Sequence, residues 1–140
     1  MRYYLDTNTI SFMLFDKYDG DNIDKNTLQI IHDYENIFYV SSIAMRELIK
    51  LYNDGELKSN KYKSHRDLFA FVEIMNIEIK PFTKQHVITY ADLYPVTNHK
   101  DPNDHMIIAQ AISDKIPIIS SDTKFPLYEN QGLKLIFNKR

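Results

Sequence analysis

The sequence predicts an α/β fold: a single domain over residues 1–140, built as a three-layer sandwich around a central, mostly parallel sheet. Three observations predict it. Short apolar runs alternate with stretches of helical spacing, the pattern of successive βαβ units. The 140 residues are 44% hydrophobic and 26% charged, enough for one buried core and too apolar for disorder. Only three Gly and five Pro occur, so long flexible linkers are absent, and no repeat or low-complexity segment interrupts the alternation.

The elements follow in order. Tyr3–Leu5 is a first strand and Thr7–Phe15 a helix, followed by a polar loop at Lys17–Lys25 around Gly20. Asn26–Tyr34 carries Leu28, Ile31 and Tyr34 at helical spacing, and Ile37–Val40 is a second strand. Ser41 and Ser42 offer N-caps for a helix running to about Asn53, with Ala44, Leu48, Leu51 and Tyr52 on its core face. Tyr62–Asn76 places Leu68, Phe71, Val72 and Met75 at i, i+3, i+4 and i+7, an amphipathic helix. Ile77–Lys80 is a third strand, and Thr83 caps a helix bearing Val87, Ala91 and Tyr94. Pro102–Asp114 is a further helix, Ile116–Ser120 a strand with Pro117 tolerated near its start, and Leu133–Phe137 the last strand. The order in which the strands pair is not readable from this pattern.

Composition excludes several chemistries. Without cysteine there is no disulfide scaffold, thiolate zinc site or cysteine nucleophile. No signal-peptide core and no apolar run of transmembrane length occurs, which points to a cytoplasmic protein. The net charge of −2 gives no basic surface, so a role on nucleic acid must rest on a specific site.

In open α/β sheets, ligands bind beyond the carboxyl ends of the strands. Asp6 directly follows the first strand, and Asp122 follows the strand ending at Ser120. Each could be an ordinary helix cap, but two such acids behind two apolar strands favour a site. Asp101-Pro102 reads as an N-cap followed by Pro at the first helical position. Asp104 then falls about 60° inside the apolar arc of Ile107, Ile108 and Ala111, where a carboxylate is costly unless satisfied. A capping bond back to Asp101 or a metal ion would satisfy it. Glu47 lies about 40° outside the apolar stripe of its helix, open to a solvated pairing with Lys50 or to a role at the strand edge. Four converging carboxylates raise one another's pKa unless a cation is present. An oxygen-only set with no cysteine and no obvious histidine pair suits Mg²⁺, with Mn²⁺ as a substitute. The chemistry that follows is phosphodiester hydrolysis.

Four segments carry a resemblance: Tyr4-Leu5-Asp6-Thr7-Asn8; Ser42-Ile43-Ala44-Met45-Arg46-Glu47; His99-Lys100-Asp101-Pro102-Asn103-Asp104-His105 running into Ile108-Ala109-Gln110-Ala111; and Ser120-Ser121-Asp122. In order and spacing they resemble the PIN domain, and most of all the VapC-type toxins, from Met1 to about Ile136. The resemblance implies a PIN-like parallel sheet, an acidic Mg²⁺ site and endoribonuclease action on structured RNA such as tRNA or rRNA. It also implies a cognate antitoxin that blocks the site. Carried over by position, Asp6, Glu47, Asp104 and Asp122 are the catalytic, metal-binding acids. Asp101 is an accessory residue, and Thr7 and Ser121 are hydrogen-bonding partners of the metal shell. The family commonly has Phe where Asn103 stands and Arg where His105 stands, which bears on substrate choice.

Some readings fall away. A haloacid-dehalogenase-like phosphatase needs a second Asp where Asn8 stands, and a receiver domain needs Asp where Ser41-Ser42 follows the second strand. A non-catalytic PIN-like module that binds RNA or protein is the alternative, opposed by the presence of all four acids. His99 and His105 flank the acidic motif. The ordinary expectation for both is a solvated or capping ring, with His105 the one placed to contact phosphate. The run Lys58–Lys63 and the pair Lys139-Arg140 read as solvated, with RNA backbone as an alternative contact. A homodimer is compatible with the sequence, which does not decide it.

Overall fold

The computed structural model describes residues 1–15 and 22–140. Its elements are β1 (Arg2–Leu5), α1 (Thr7–Phe15), α2 (Lys25–His32), β2 (Ile37–Ser41), α3 (Ser42–Asn53), α4 (His65–Ile74), β3 (Ile77–Lys80), α5 (Lys84–Asp92), α6 (Pro102–Asp114), β4 (Ile118–Ser120), a 3₁₀ helix (Phe125–Gln131) and β5 (Leu135–Phe137). The loop expected over residues 17–25 lies mostly outside the described residues.

The five strands form one sheet in the order β3-β2-β1-β4-β5, and every pairing is parallel. Successive side chains of a strand point to opposite faces. Tyr3, Tyr4 and Leu5 of β1 are nevertheless all buried, as are Ile118, Ile119 and Ser120 of β4. Both faces of the central strands are therefore covered, as a parallel sheet requires. The chain lays down β1, β2 and β3 in one direction, then crosses back to place β4 on the other side of β1. That reversal is the topological switch point, and it opens a crevice between the carboxyl ends of β1 and β4. No helix among the described residues is long and apolar enough to cross a membrane.

Several expected boundaries move for identifiable reasons. Helix α2 ends at His32, capped by Asp33, so Tyr34 lies beyond it and is 93% exposed rather than in the core. On α3, Ala44, Met45 and Leu48 are buried, while Leu51 and Tyr52 are half-buried. Helix α4 begins at His65 because Ser64 occupies its N-cap position; Tyr62 is buried ahead of it. The expected apolar face of α5 is wrong: Val87 and Tyr94 are 51% and 81% exposed, and Ala91 is exposed. Only His86 of that helix is buried, closing a capping box with Thr83 through Nδ1 and meeting Asp114 of α6 through Nε2 at 2.8 Å. A polar anchor replaces the apolar stripe. Strand β4 starts after Pro117, which has no N–H for the ladder, although its carbonyl accepts from Tyr4 N–H at 2.8 Å. Ahead of β5, the unanticipated 3₁₀ helix buries Phe125 and Tyr128, three residues apart and so on one face. Gly132, at φ 104°, ends it in a left-handed conformation that suits glycine.

Candidate metal centre

The site grows from the two strand ends at the switch point. Asp6 leaves β1 fully paired: its backbone N–H donates to the Ile119 carbonyl of β4 at 3.2 Å. Its carboxylate is buried, accepting from Thr9 N–H at 2.8 Å and from the Ser120 hydroxyl. The first bond is a helix cap on α1, so Asp6 both caps and faces the crevice. Burial raises its pKa, opposed by the Ser120 and Thr9 bonds, with Asp122 adding repulsion. Across the crevice, Asp122 Oδ1 accepts from Lys124 N–H at 2.8 Å, an Asx turn, and Asp122 N–H donates to Ser120 Oγ at 3.1 Å. Ser120 therefore sits between the two acids, bonded to both.

Asp101 is a cap: its Oδ1 accepts from Asn103 N–H at 2.9 Å, and Pro102 follows in the first turn. Asp104 is not held by a bond back to Asp101. Its Oδ2 lies 3.1 Å from His99 Nε2. Burial first, then the charges of Asp101, Asp122, Glu47 and Asp6, push its pKa up to about 8. Those four neighbours are the accessory acid and the other three acids named from the sequence. Glu47 does not pair with Lys50, which bonds Asp54 at 2.7 Å instead. It accepts from Thr7 Oγ on Oε1 and from Asn103 Nδ2 on Oε2 at 3.3 Å. Asn103 Oδ1 in turn accepts from the Arg46 guanidinium at 3.3 Å, which tethers one cation beside the acids.

His99 and His105 are neither solvated nor caps. His99 is 6% exposed and His105 7%. His105 Nε2 donates to the His99 carbonyl at 2.9 Å, and its ring packs edge-on against His99 at 4.7 Å between centroids. Burial lowers the pKa of both rings. His99 brings a nitrogen into what the sequence presented as an oxygen-only set. Ligand atoms of His99, Asp104 and Asp122 lie within 4.8 Å of one another, close enough for one ion. Asp6 and Glu47 stand around this group without joining it. The donor chemistry fits a hard divalent cation, since three or more carboxylates surround a polar crevice. Ser121 Oγ fits it too: it is buried with no hydrogen-bond partner among the described residues. Sequence reasoning gave no role to Ser120, His99 or Tyr128; Ser120 and His99 lie in the motif segments, whereas Tyr128 carried no local signal.

Comparison with known proteins gives the family and the fold. The PIN domain family model matches residues 3–130. No curated protein matches the sequence. Among solved structures, VapBC2 from Rickettsia felis, bound to a promoter DNA fragment, is 22% identical over 99% of this chain and 100% of that one, with a TM-score of 0.68. VapBC-1 from nontypeable Haemophilus influenzae is 22% identical over 98% of each chain, TM-score 0.67. FitAcB from Neisseria gonorrhoeae is 22% identical over 97% of this chain and 96% of that one, TM-score 0.60. At such identities these likenesses speak for the fold.

Proposed function

The chain belongs to the PIN domain family, and from that premise we propose that it is a metal-dependent endoribonuclease, the toxin of a type II toxin–antitoxin pair. The observation that carries this reading is the gathering of acids at the strand ends: ligand atoms of Asp104, Asp122 and His99 lie within 4.8 Å of one another, and the Asp104 carboxyl is pushed up to about 8 by burial first and then by the surrounding acids. A site that crowds like charges at a strand-end crevice is built for a cation. Asp104 and Asp122 would hold a divalent ion, Mg²⁺ with Mn²⁺ as a substitute, with Asp6 and Glu47 completing the acidic shell. When bound, such an ion activates water and neutralises charge on the phosphate. Thr7 and Asn103 fix both oxygens of Glu47, and Ser120 fixes Asp6 beside Asp122. The acids are thereby preorganised before substrate arrives. Arg46 stands at the exposed side of this group, placed to meet a phosphate of the RNA.

The RNA is assigned as structured RNA, tRNA or rRNA, on the family resemblance of the acidic motifs. A cognate antitoxin is assigned because the similar structures include a toxin–antitoxin complex from Klebsiella pneumoniae and a member of the VapBC family of toxin–antitoxin systems. The pair would act in the cytoplasm.

Purified protein incubated with tRNA is expected to cleave it in Mg²⁺ or Mn²⁺ and to stop in EDTA. Cleavage undiminished by EDTA would overturn the metal-dependent reading. Expressed alone in a bacterial host, the protein is expected to arrest growth, and co-expression of the antitoxin encoded beside it to restore growth. Normal growth at high soluble expression counts against the toxin assignment.

A further inference from the structure

We propose that His99 is a positioning residue for Asp104, locked by Tyr128 in the tautomer that donates from Nε2, and is not itself a metal ligand. The inference rests on the metal-dependent reading and deepens it. It follows from the direction of three hydrogen bonds.

Tyr128 is fully buried, and its phenol oxygen lies 3.1 Å from Val96 N and 2.7 Å from His99 Nδ1. A backbone N–H can only donate, so the Tyr128 oxygen accepts from Val96. The phenol proton then goes to Nδ1, its one remaining partner among the described residues. A ring nitrogen that accepts carries no proton, and a ring without a proton on Nδ1 carries it on Nε2. His99 Nε2 therefore donates to Asp104 Oδ2 at 3.1 Å. Its lone pair is not offered to an ion, although Nε2 lies within reach of the same point as the Asp104 and Asp122 oxygens.

The ring is fixed from its other sides too. His105 Nε2 donates to the His99 carbonyl at 2.9 Å. The Tyr128 ring packs edge-on against the imidazole at 5.4 Å between centroids. Asn98, immediately before, is at φ 65°, a left-handed turn that delivers His99 inward. The relay runs from the backbone of residue 96, through the 3₁₀ helix and the loop before α6, to one oxygen of Asp104. The other oxygen has no hydrogen-bond partner among the described residues. Partners of this kind orient a ligating carboxylate, and their loss costs about 10–100-fold in metal affinity.

The test uses the full-length protein and Mn²⁺ as probe, with affinity read by calorimetry and the His99 tautomer by ¹⁵N NMR of the metal-free protein. The parent ring is expected to carry its proton on Nε2; a proton on Nδ1 overturns the inference without reference to metal. Tyr128→Phe keeps the aromatic packing and removes the phenol hydroxyl, and with it the proton given to Nδ1 and the acceptor of Val96 N–H. It is expected to weaken Mn²⁺ binding about tenfold. His99→Leu is expected to weaken it at least as much. His99→Gln, whose amide N–H can take the place of Nε2–H, is expected to stay within about threefold of the parent, an allowance well inside the roughly tenfold loss. If His99 were a ligand, Tyr128→Phe would free the Nε2 lone pair, and affinity would hold or rise; that result overturns the inference even if His99→Leu fails to fold. A parent that binds no Mn²⁺ overturns the metal reading itself and this inference with it, an outcome distinct from a parent that binds and variants that bind equally.

Discussion

Asp104→Asn and Asp122→Asn should each abolish most RNA cleavage while leaving the metal-free protein as stable as the parent or more so. Asn caps a helix about as well as Asp, so the Asx turn of Asp122 survives the change. The lost charge removes a ligand, so activity should fall by more than the roughly 10–100-fold that an outer partner costs. The sign of the pH effect follows from Asp104. Its carboxyl stands at about 8 in the folded chain, against about 3.9 when unfolded. The neutral acid is thus favoured by folding. Its contribution to stability is fully present below pH ~4 and is lost as pH rises through ~8. Asp6, also raised, adds a contribution of the same sign. The melting temperature of metal-free parent should therefore be pulled down between pH 5 and 8, and Asp104→Asn should lessen that fall. Mg²⁺ should raise the parent's melting temperature at pH 8 through linkage and the variants' much less. Asp101→Asn should be milder in every assay, because Asp101 serves the cap of α6. Full activity in the Asp104 and Asp122 variants would make these residues structural and the site wrong.

Gln110→Leu should unfold the protein more easily than any substitution at the metal centre. Gln110 is fully buried in α6. Its Oε1 accepts from Ser41 Oγ, and its Nε2 donates to Tyr4 Oη at 3.2 Å and to the Lys80 carbonyl at 3.3 Å. Tyr4 Oη donates onward to Asp114, which also meets His86 of α5. One side chain thus ties the ends of β2 and β3 to α6, and so the helix of Glu47 to the helix of Asp104. Leucine leaves the Ser41 hydroxyl and the Lys80 carbonyl without their partner. At about 1–3 kcal/mol for each of the two stranded groups, the loss is on the order of 2–6 kcal/mol, or roughly 10 °C or more in a chain of this size. Thermal and urea melts measure it. A drop under 2 °C would mean that water or rearrangement satisfies the stranded groups.

Side-chain periodicity and strand-end position were enough to read most of this molecule. The alternation of apolar runs and helical stripes is local chemistry, so β1, α1, β3 and α6 emerge at or within a residue of their observed bounds. Position and family motif nominated Asp6, Glu47, Asp104 and Asp122 as the site acids, and the fold brings the other three close enough to bear on Asp104. What sequence could not decide is whatever depends on two distant segments meeting. Strand order is one case, since no local pattern says that β4 pairs with β1 rather than β3. The exposed face of α5 is another. The contact of His86 with Asp114, 28 residues away, anchors that helix, and periodicity has no term for it. The partners of the acids are the third. Lys50 is three residues from Glu47, yet Thr7 and Asn103, 40 and 56 residues away, hold its carboxylate. His99 read as a solvated ring because its burial comes from Tyr128, 29 residues on, in a 3₁₀ helix too short to leave a periodic trace. The sequence by itself determined which residues carry the charge; the tertiary structure decided which of their oxygens are tied and which stay open, because only folding brings a donor to each one.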